Sequence, residues 1–134
     1  MKSSGLLTQN LTNIAAEARA LEKQGAEVAG TLELGHDPLM QLAIAATATE
    51  RMQLMTSITV AFGRSPMTLA QTSHDVNSLS QGRLILGIGS QIKPHIEKRY
   101  SMPWSKPAAR MREYVQALKA IWACWYDGFP LDFR

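Results

Sequence analysis

Hydrophobic positions along the chain follow two periods that alternate four times. Short apolar runs rich in β-branched residues are typical of strands, and each precedes a longer segment in which apolar residues recur every three or four positions, as in a helix. We predict strands near residues 5–7, 27–34, 52–62 and 83–88, helices near residues 11–24, 38–49, 66–79 and 105–127, and a long loop at 89–104. This order predicts parallel strands joined by helices.

Short polar residues mark where three of these helices should begin. Asp37 and Ser65 suit the N-cap position, and each precedes a proline, Pro38 or Pro66, that suits the first helical turn. Asn10 is a comparable cap for the first helix.

The fourth strand and the fourth helix carry the clearest apolar patterns. The near-continuous apolar run at 84–88 is typical of a parallel strand covered on both faces. On the helix, steps of four and three residues predict one buried stripe, formed by Met111, Val115, Leu118, Trp122 and Trp125. We therefore assign the two tryptophans to core packing rather than to cofactor stacking.

Four β-α units make the fold class α/β and fit two architectures. A closed (β/α)8 barrel takes about 250 residues, so 134 residues would form half of a TIM-type barrel with about four strands and four helices. A small open sheet also fits the length, with a phosphate-binding turn at 87–90, although that turn lacks the glycine and lysine arrangement of a P-loop. The first and fourth strands would be the sheet edges.

The carboxyl ends of neighbouring parallel strands should form one site. Ligands of α/β proteins bind at this end of the sheet, so residues 56–62 and 87–91 would lie side by side around it. Gly87 and Gly89 would let a ligand approach the backbone, and Ser90 offers a hydroxyl. This arrangement makes an enzyme the leading hypothesis.

Composition narrows the class of protein further. The 14 basic residues exceed the 11 acidic ones by three but are scattered, which argues against a nucleic-acid partner. The lone Cys124 and the lack of Cys/His spacing typical of zinc sites predict no metal. No segment resembles a signal peptide or the roughly 20 apolar residues of a membrane span, which predicts a cytoplasmic protein without a membrane partner.

Several motifs in combination resemble one family. They are His36-Asp37-Pro38, Leu54-Met55-Thr56-Ser57-Ile58, Leu79-Ser80-Gln81-Gly82-Arg83, Leu86-Gly87-Ile88-Gly89-Ser90 and Pro107-Ala108-Ala109-Arg110-Met111. Together they resemble the luciferase-like monooxygenase superfamily, in particular its branch of oxidoreductases that use coenzyme F420, and the resemblance covers nearly the whole chain. The resemblance implies a (β/α)8 barrel more than twice this length, of which residues 1–134 are a single, truncated N-terminal (β/α)4 portion.

The resemblance also implies a reaction and its site. It implies F420 as the cofactor, with FMN as the alternative, and hydride transfer between that cofactor and an unknown small organic substrate. A non-proline cis peptide behind the cofactor ring would match the Ser57–Ile58 bond. Cofactor contacts are expected at Ser57, Ile58, Gly87, Gly89, Ser90 and Gln91. Glu33 and His36, on the rim after the second strand, are the candidate catalytic residues.

A second hypothesis is not enzymatic. A truncated, catalytically inactive relative could persist as a folded module that pairs its open sheet edges with another copy or with a partner chain. We therefore expect either a homo-oligomer or a requirement for a C-terminal half.

Overall fold

A computed structural model describes residues 3–131. In chain order the elements are β1 (Ser4–Leu6), α1 (Ile14–Lys23), β2 (Val28–Thr31), α2 (Pro38–Ala48), β3 (Gln53–Thr56), β4 (Thr59–Val60), a 3-10 helix (Ala61–Gly63), α3 (Pro66–Leu79), β5 (Leu84–Ile85), β6 (Ile88–Gly89), α4 (Lys93–Lys98) and α5 (Pro107–Asp127). The alternation of strands and helices is confirmed. The third and fourth predicted strands are each broken in two, and α4 lies in the segment predicted to be a loop.

The chain divides into two compact units. Among the described residues, the first comprises 3–59 together with 73–88, and the second comprises 60–72 together with 89–131.

The first unit contains a parallel sheet with the strand order β1-β2-β3-β5. β1 and β5 are therefore the edges, as predicted for the first and fourth strands. A separate two-stranded sheet pairs β4 with β6.

The two faces of the parallel sheet differ in burial. A Cβ placed on Gly5 would meet the Leu21 side chain of α1, so the face that carries Gly5, Ala29 and Leu54 is the one toward the helices, and Ala29 and Leu54 are fully buried. On the opposite face, Leu6 is 59% exposed and Ile85 is 38% exposed. The prediction that the 84–88 run is covered on both faces is therefore wrong, because the helices bury only one side of this sheet.

Two of the three predicted caps are confirmed. Asp37 Oδ1 accepts hydrogen bonds from the N–H groups that follow it in α2, and Ser65 Oγ accepts one from the Thr68 N–H at the start of α3. Asn10 does not cap α1, which begins only at Ile14. Its side chain instead accepts from the Thr12 N–H, in a turn that precedes the helix.

Arg83 joins the ends of three elements in the first unit. Its Nε donates to the Ser80 carbonyl after α3, at 2.7 Å. Nη1 donates to the Thr49 hydroxyl and to the Met52 carbonyl, both at 2.8 Å, and Nη2 donates to the carbonyls of Ala46 and Thr49, both at 3.0 Å. These five bonds use every N–H of the guanidinium. Three of them bind carbonyls at the C-terminal ends of α2 and α3, where helices leave carbonyls unpaired.

The second unit is built around one face of α5. The buried residues of this helix are Tyr114, Ala117, Leu118 and Ile121. The predicted stripe is therefore rotated around the helix and shares only Leu118 with the observed one. Trp122 is half-buried and Trp125 is 40% exposed, so the assignment of this pair to core packing is wrong. Two apolar stripes lie side by side on α5, and periodicity alone does not choose between them.

Candidate functional site

The carboxyl ends of β2 and β3 place the first group of predicted site residues. Thr31 and Thr56 are register partners at the last position of the two strands. Immediately afterwards, the Ser57 N–H donates to the Thr31 carbonyl at 2.8 Å. The peptide bond between Ser57 and Ile58 is cis, as the resemblance implies. Ser57 is exposed and Ile58 is half-buried, so this pair forms an accessible rim at the end of the sheet.

Gly87 lies against this rim and is held there by hydrogen bonds from β3 and β4. The Thr56 hydroxyl donates to the Gly87 carbonyl at 2.7 Å and accepts from the Gly87 N–H at 2.9 Å. The same carbonyl accepts the Thr59 N–H at 2.8 Å. The segments that begin at 56 and 87 are thus close together, as predicted, because Thr56 and Thr59 both bind Gly87.

The packing around Gly87 explains why this position is glycine. A Cβ built there would clash with the carbonyl oxygen of Thr56. Any larger residue would therefore push the two segments apart. Close approach of the chain to itself, rather than of a ligand to the chain, accounts for this glycine.

Glu33 and His36 follow β2 in the loop that leads to α2. Glu33 is half-buried and His36 is exposed. The next residue, Asp37, caps α2 through bonds of 2.8 Å to the Leu39 N–H and 3.3 Å to the Met40 N–H. The loop is thus fixed at its α2 end. The catalytic role of Glu33 and His36 stays a prediction.

Gly89, Ser90 and Gln91 belong to the second unit. All three are half-buried. The Ser90 hydroxyl donates to the Gln91 carbonyl at 3.1 Å, and Gln91 has a φ of +60°, in the left-handed region that few non-glycine residues adopt. Gly89 thus ends β6, and Ser90 and Gln91 lie in the short connection between β6 and α4. Their role as cofactor contacts stays a prediction.

A cavity of about 360 Å³ lies at the opposite end of the parallel sheet. It is lined by residues that precede or begin β2 and β3, among them Glu22, Glu27 and Arg51. In (β/α) barrels the amino-terminal end of the strands serves stability, and the carboxyl-terminal end carries chemistry. We therefore place the candidate site at the Ser57–Ile58 rim and not in this cavity.

Two further properties of residues 3–131 bear on the class of site. Among them, no group of three or more His, Cys, Asp or Glu side chains could hold a metal ion. No helix in the same range is long and apolar enough to cross a membrane.

The sequence pattern assigns no individual role to Thr56 or Arg83, although Thr56 binds Gly87 at the rim and Arg83 binds the ends of α2 and α3 at the opposite end of β3. Thr56 stands at the end of an apolar strand, where a threonine gives no distinctive signal. Arg83 follows a glycine turn, and the carbonyls that it binds belong to residues far away in the chain. A pattern of side chains does not reveal partners that are backbone groups.

Comparison with known proteins identifies the family. The family model of the luciferase-like monooxygenases matches residues 2–133, and the chain belongs to this family. An uncharacterized protein of Mycobacterium tuberculosis is 50% identical over 134 residues, which are all of this chain and 39% of that protein. A second M. tuberculosis protein, whose name assigns it provisionally to the coenzyme F420-dependent oxidoreductases, is 34% identical over 112 residues, or 83% of this chain and 32% of its own length. The chain thus spans about two fifths of the length of the curated relatives it matches.

Solved structures agree on the fold. A monooxygenase from Streptomyces bottropensis superimposes with a TM-score of 0.77 at 25% identity, over 92% of this chain and 43% of its own. The oxygenating constituent of 3,6-diketocamphane monooxygenase from Pseudomonas putida, in complex with FMN, superimposes with a TM-score of 0.79 at 16% identity. The match covers 91% of this chain and 40% of that protein. The coenzyme F420-dependent tetrahydromethanopterin reductase from Methanopyrus kandleri superimposes with a TM-score of 0.75 at 20% identity. The match covers 100% of this chain and 42% of that protein. The parallel α/β fold is therefore that of half a TIM-type barrel.

Proposed function

We propose that residues 1–134 are the N-terminal (β/α)4 portion of a flavin- or F420-dependent oxidoreductase that transfers hydride between its cofactor and a small organic substrate. The observation that carries this proposal is the rim formed by Ser57, Ile58 and Gly87 at the carboxyl ends of the parallel strands. Ligands of α/β folds bind at this end. Membership of the luciferase-like family supports the same class of reaction. A cytoplasmic location stays part of this proposal.

The residues at the rim fit one side of a planar ring with polar edges. Ile58 offers an apolar, partly accessible surface, and the exposed Ser57 offers a hydroxyl beside it. Thr31 and Thr56 are buried at the same strand ends. The Thr56 hydroxyl is bound to Gly87, and the Thr31 carbonyl accepts the Ser57 N–H, so both residues support the rim from behind. A flavin or deazaflavin, when bound, supplies the hydride chemistry itself. The protein then has to orient the ring and exclude water from it.

Glu33 and His36 take the acid–base role in this proposal. The Glu33 carboxylate and the His36 imidazole would hold or transfer a substrate proton, since both follow β2 on the rim side of the sheet. Gly89, Ser90 and Gln91 would add contacts to the cofactor. The substrate itself would be a small molecule.

F420 is the first choice of cofactor and FMN the alternative. The 34% identical M. tuberculosis relative carries an F420-dependent name, and the solved relatives include one F420-dependent reductase and one complex with FMN. The fold is common to both, so it does not select between them.

Fluorescence titration tests this proposal directly. We expect the 134-residue chain to bind F420, or failing that FMN, with a dissociation constant on the order of tens of micromolar. Ser57→Ala and Ser90→Ala should weaken that binding severalfold, whereas Ser105→Ala, at an exposed position outside the proposed site, should not. Absence of binding of either cofactor would leave the oxidoreductase proposal without support.

A second candidate function is self-association or capture of a partner chain. The observation that favours it is the exposed face and open edges of the parallel sheet, which carry Leu6 on β1 and Ile85 on β5. Unpaired strand edges are templates for pairing with another chain. On this proposal the chain is a homo-oligomer, or it takes up the remaining (β/α) units of a barrel.

Sedimentation velocity over a range of concentrations tests the second candidate. We expect association that Ile85→Lys weakens and that Leu79→Lys, at an exposed position on α3, leaves unchanged. A wild-type chain that stays monomeric at the highest concentrations would contradict self-association.

A further inference from the structure

The hydroxyl of Thr56 makes hydrogen bonds to Gly87 at the point where the backbone pairing between β3 and β5 ends. Pairing between β3 and β5 ends at Met55 and Ile85. One residue further along β3, the Thr56 hydroxyl donates to the Gly87 carbonyl at 2.7 Å and accepts from the Gly87 N–H at 2.9 Å. A single side chain thus makes the pair of donor and acceptor bonds that a backbone partner would make.

These bonds fix both ends of the Ser57–Ile58 segment. On the near side, Thr56 is bound to Gly87 through its hydroxyl. On the far side, the Thr59 N–H donates to the same Gly87 carbonyl at 2.8 Å. The two residues between them therefore have little freedom to move away from Gly87, and the absence of a Cβ at Gly87 lets the segments approach this closely.

We propose that Thr56 is a positioning residue for the cofactor site, which holds Ser57 and Ile58 in register with Gly87. This inference rests on the proposed oxidoreductase function and gives Thr56, which begins the predicted site segment 56–62, a role that the sequence pattern did not indicate. Thr56 is almost fully buried, so it acts through the rim residues and not by touching the cofactor.

Two substitutions separate positioning from ordinary stability. Thr56→Val keeps the shape of the side chain and removes both hydrogen bonds, and Thr56→Ser keeps the hydroxyl and removes a methyl group. Thr49→Val is the matched control, because Thr49 is also a buried threonine whose hydroxyl makes two hydrogen bonds, one to the Ala45 carbonyl and one from Arg83. It lies after α2, before β3 begins, and so at the other end of that strand.

Cofactor titration of these variants gives the functional readout. We expect Thr56→Val to weaken binding of F420 or FMN about tenfold, Thr56→Ser to restore it to near the wild-type value, and Thr49→Val to leave it unchanged. Equal weakening by Thr56→Val and Thr49→Val, or unchanged binding in Thr56→Val, would overturn the proposal.

Amide hydrogen exchange gives a readout that does not depend on the cofactor. The N–H groups of Ser57 and Thr59 keep their own acceptors in Thr56→Val, so faster exchange at both, absent in Thr49→Val, would show that the segment has lost its position. If the wild-type chain binds no cofactor, the oxidoreductase proposal fails, and the exchange rates alone decide the role of Thr56. Unchanged exchange at Ser57 and Thr59 would refute that role.

Discussion

The Glu22 carboxylate on α1 accepts a 2.8 Å hydrogen bond from the N–H of Met52, the buried residue that precedes β3. It also accepts from the N–H groups of Arg51 at 2.8 Å and Glu50 at 3.1 Å. Arg83 meanwhile donates to the Met52 carbonyl. The loop between α2 and β3 is therefore held by an anion at its N–H groups and by a cation at its carbonyls.

Removing the charge of Glu22 should loosen this loop. Hydrogen bonds to a charged group contribute more than neutral ones, so Glu22→Gln should lower the free energy of unfolding by about 1–3 kcal/mol. Urea denaturation at neutral pH measures the change. Glu27→Gln is the control, because Glu27 lines the same cavity but is exposed. A loss no larger than that of the control would contradict the role of Glu22.

The contribution of Glu22 should also depend on pH. Burial acts to raise the pKa of this carboxyl, but the N–H groups of Met52, Arg51 and Glu50 and the charge of Arg51 together hold it below its ordinary value. A lowered pKa in the folded state means that the stabilisation is complete above the ordinary carboxyl value of about 4.3 and is lost as the pH falls through the folded-state pKa. Denaturation at a series of acidic pH values should therefore show the difference between wild type and Glu22→Gln disappearing. A difference that stays constant down to the lowest pH would argue against this linkage.

Arg83 should not tolerate replacement by lysine. A lysine has three donors at one nitrogen and cannot reproduce five bonds to four residues. We expect Arg83→Lys to lower the free energy of unfolding by about 2–4 kcal/mol. Arg19→Lys, at an exposed position on α1, should be neutral. Chemical denaturation of the two variants side by side tests this, and equal stabilities would show that the fork geometry of Arg83 is dispensable.

Much of this fold can be predicted from the sequence, because its signals are local. The cap and proline pairs Asp37-Pro38 and Ser65-Pro66 start helices where expected. The break after Thr56 does not follow from the apolar pattern of residues 52–62, which is that of one continuous strand. The cis bond between Ser57 and Ile58 was expected only from the family resemblance. The hydrogen bonds of Glu22 and Arg83 could not be predicted from the sequence either, because their partners are mostly backbone groups that the fold brings near.

The hydroxyl of Thr31 is a buried polar group that stabilises nothing. Thr31 is fully buried and its Oγ1 has no hydrogen-bond partner. An unpaired buried hydroxyl carries a desolvation cost, so Thr31→Val should leave the free energy of unfolding unchanged or raise it by about 1 kcal/mol. Thr49→Val, which removes two hydrogen bonds, should instead lower it by about 1–3 kcal/mol. Thermal denaturation ranks the two, and a clear loss in Thr31→Val would mean that this hydroxyl has a partner, such as a buried water.

Tyr114 in the second unit should ionise only at high pH. Its hydroxyl donates to the Arg64 carbonyl at 3.0 Å. Burial raises the pKa of Tyr114 to about 12, although the charges of Arg64 and Arg110 act in the opposite direction. Because the neutral phenol is favoured in the folded state, its contribution to stability is complete below the ordinary value of about 10 and is lost as the pH rises through the folded-state pKa.

A difference titration isolates this ionisation. Tyrosinate absorbance of the wild-type chain should show a step at about pH 12 that Tyr114→Phe removes and that Tyr126→Phe, at an exposed ring, leaves in place. At neutral pH, loss of the hydrogen bond to Arg64 should lower the free energy of unfolding of Tyr114→Phe by about 1 kcal/mol. Above pH of about 10 that difference should shrink, because the unfolded wild-type chain ionises first. Persistence of the step in Tyr114→Phe would show that another tyrosine is the buried one, and the contact between α5 and Arg64 would then need another explanation.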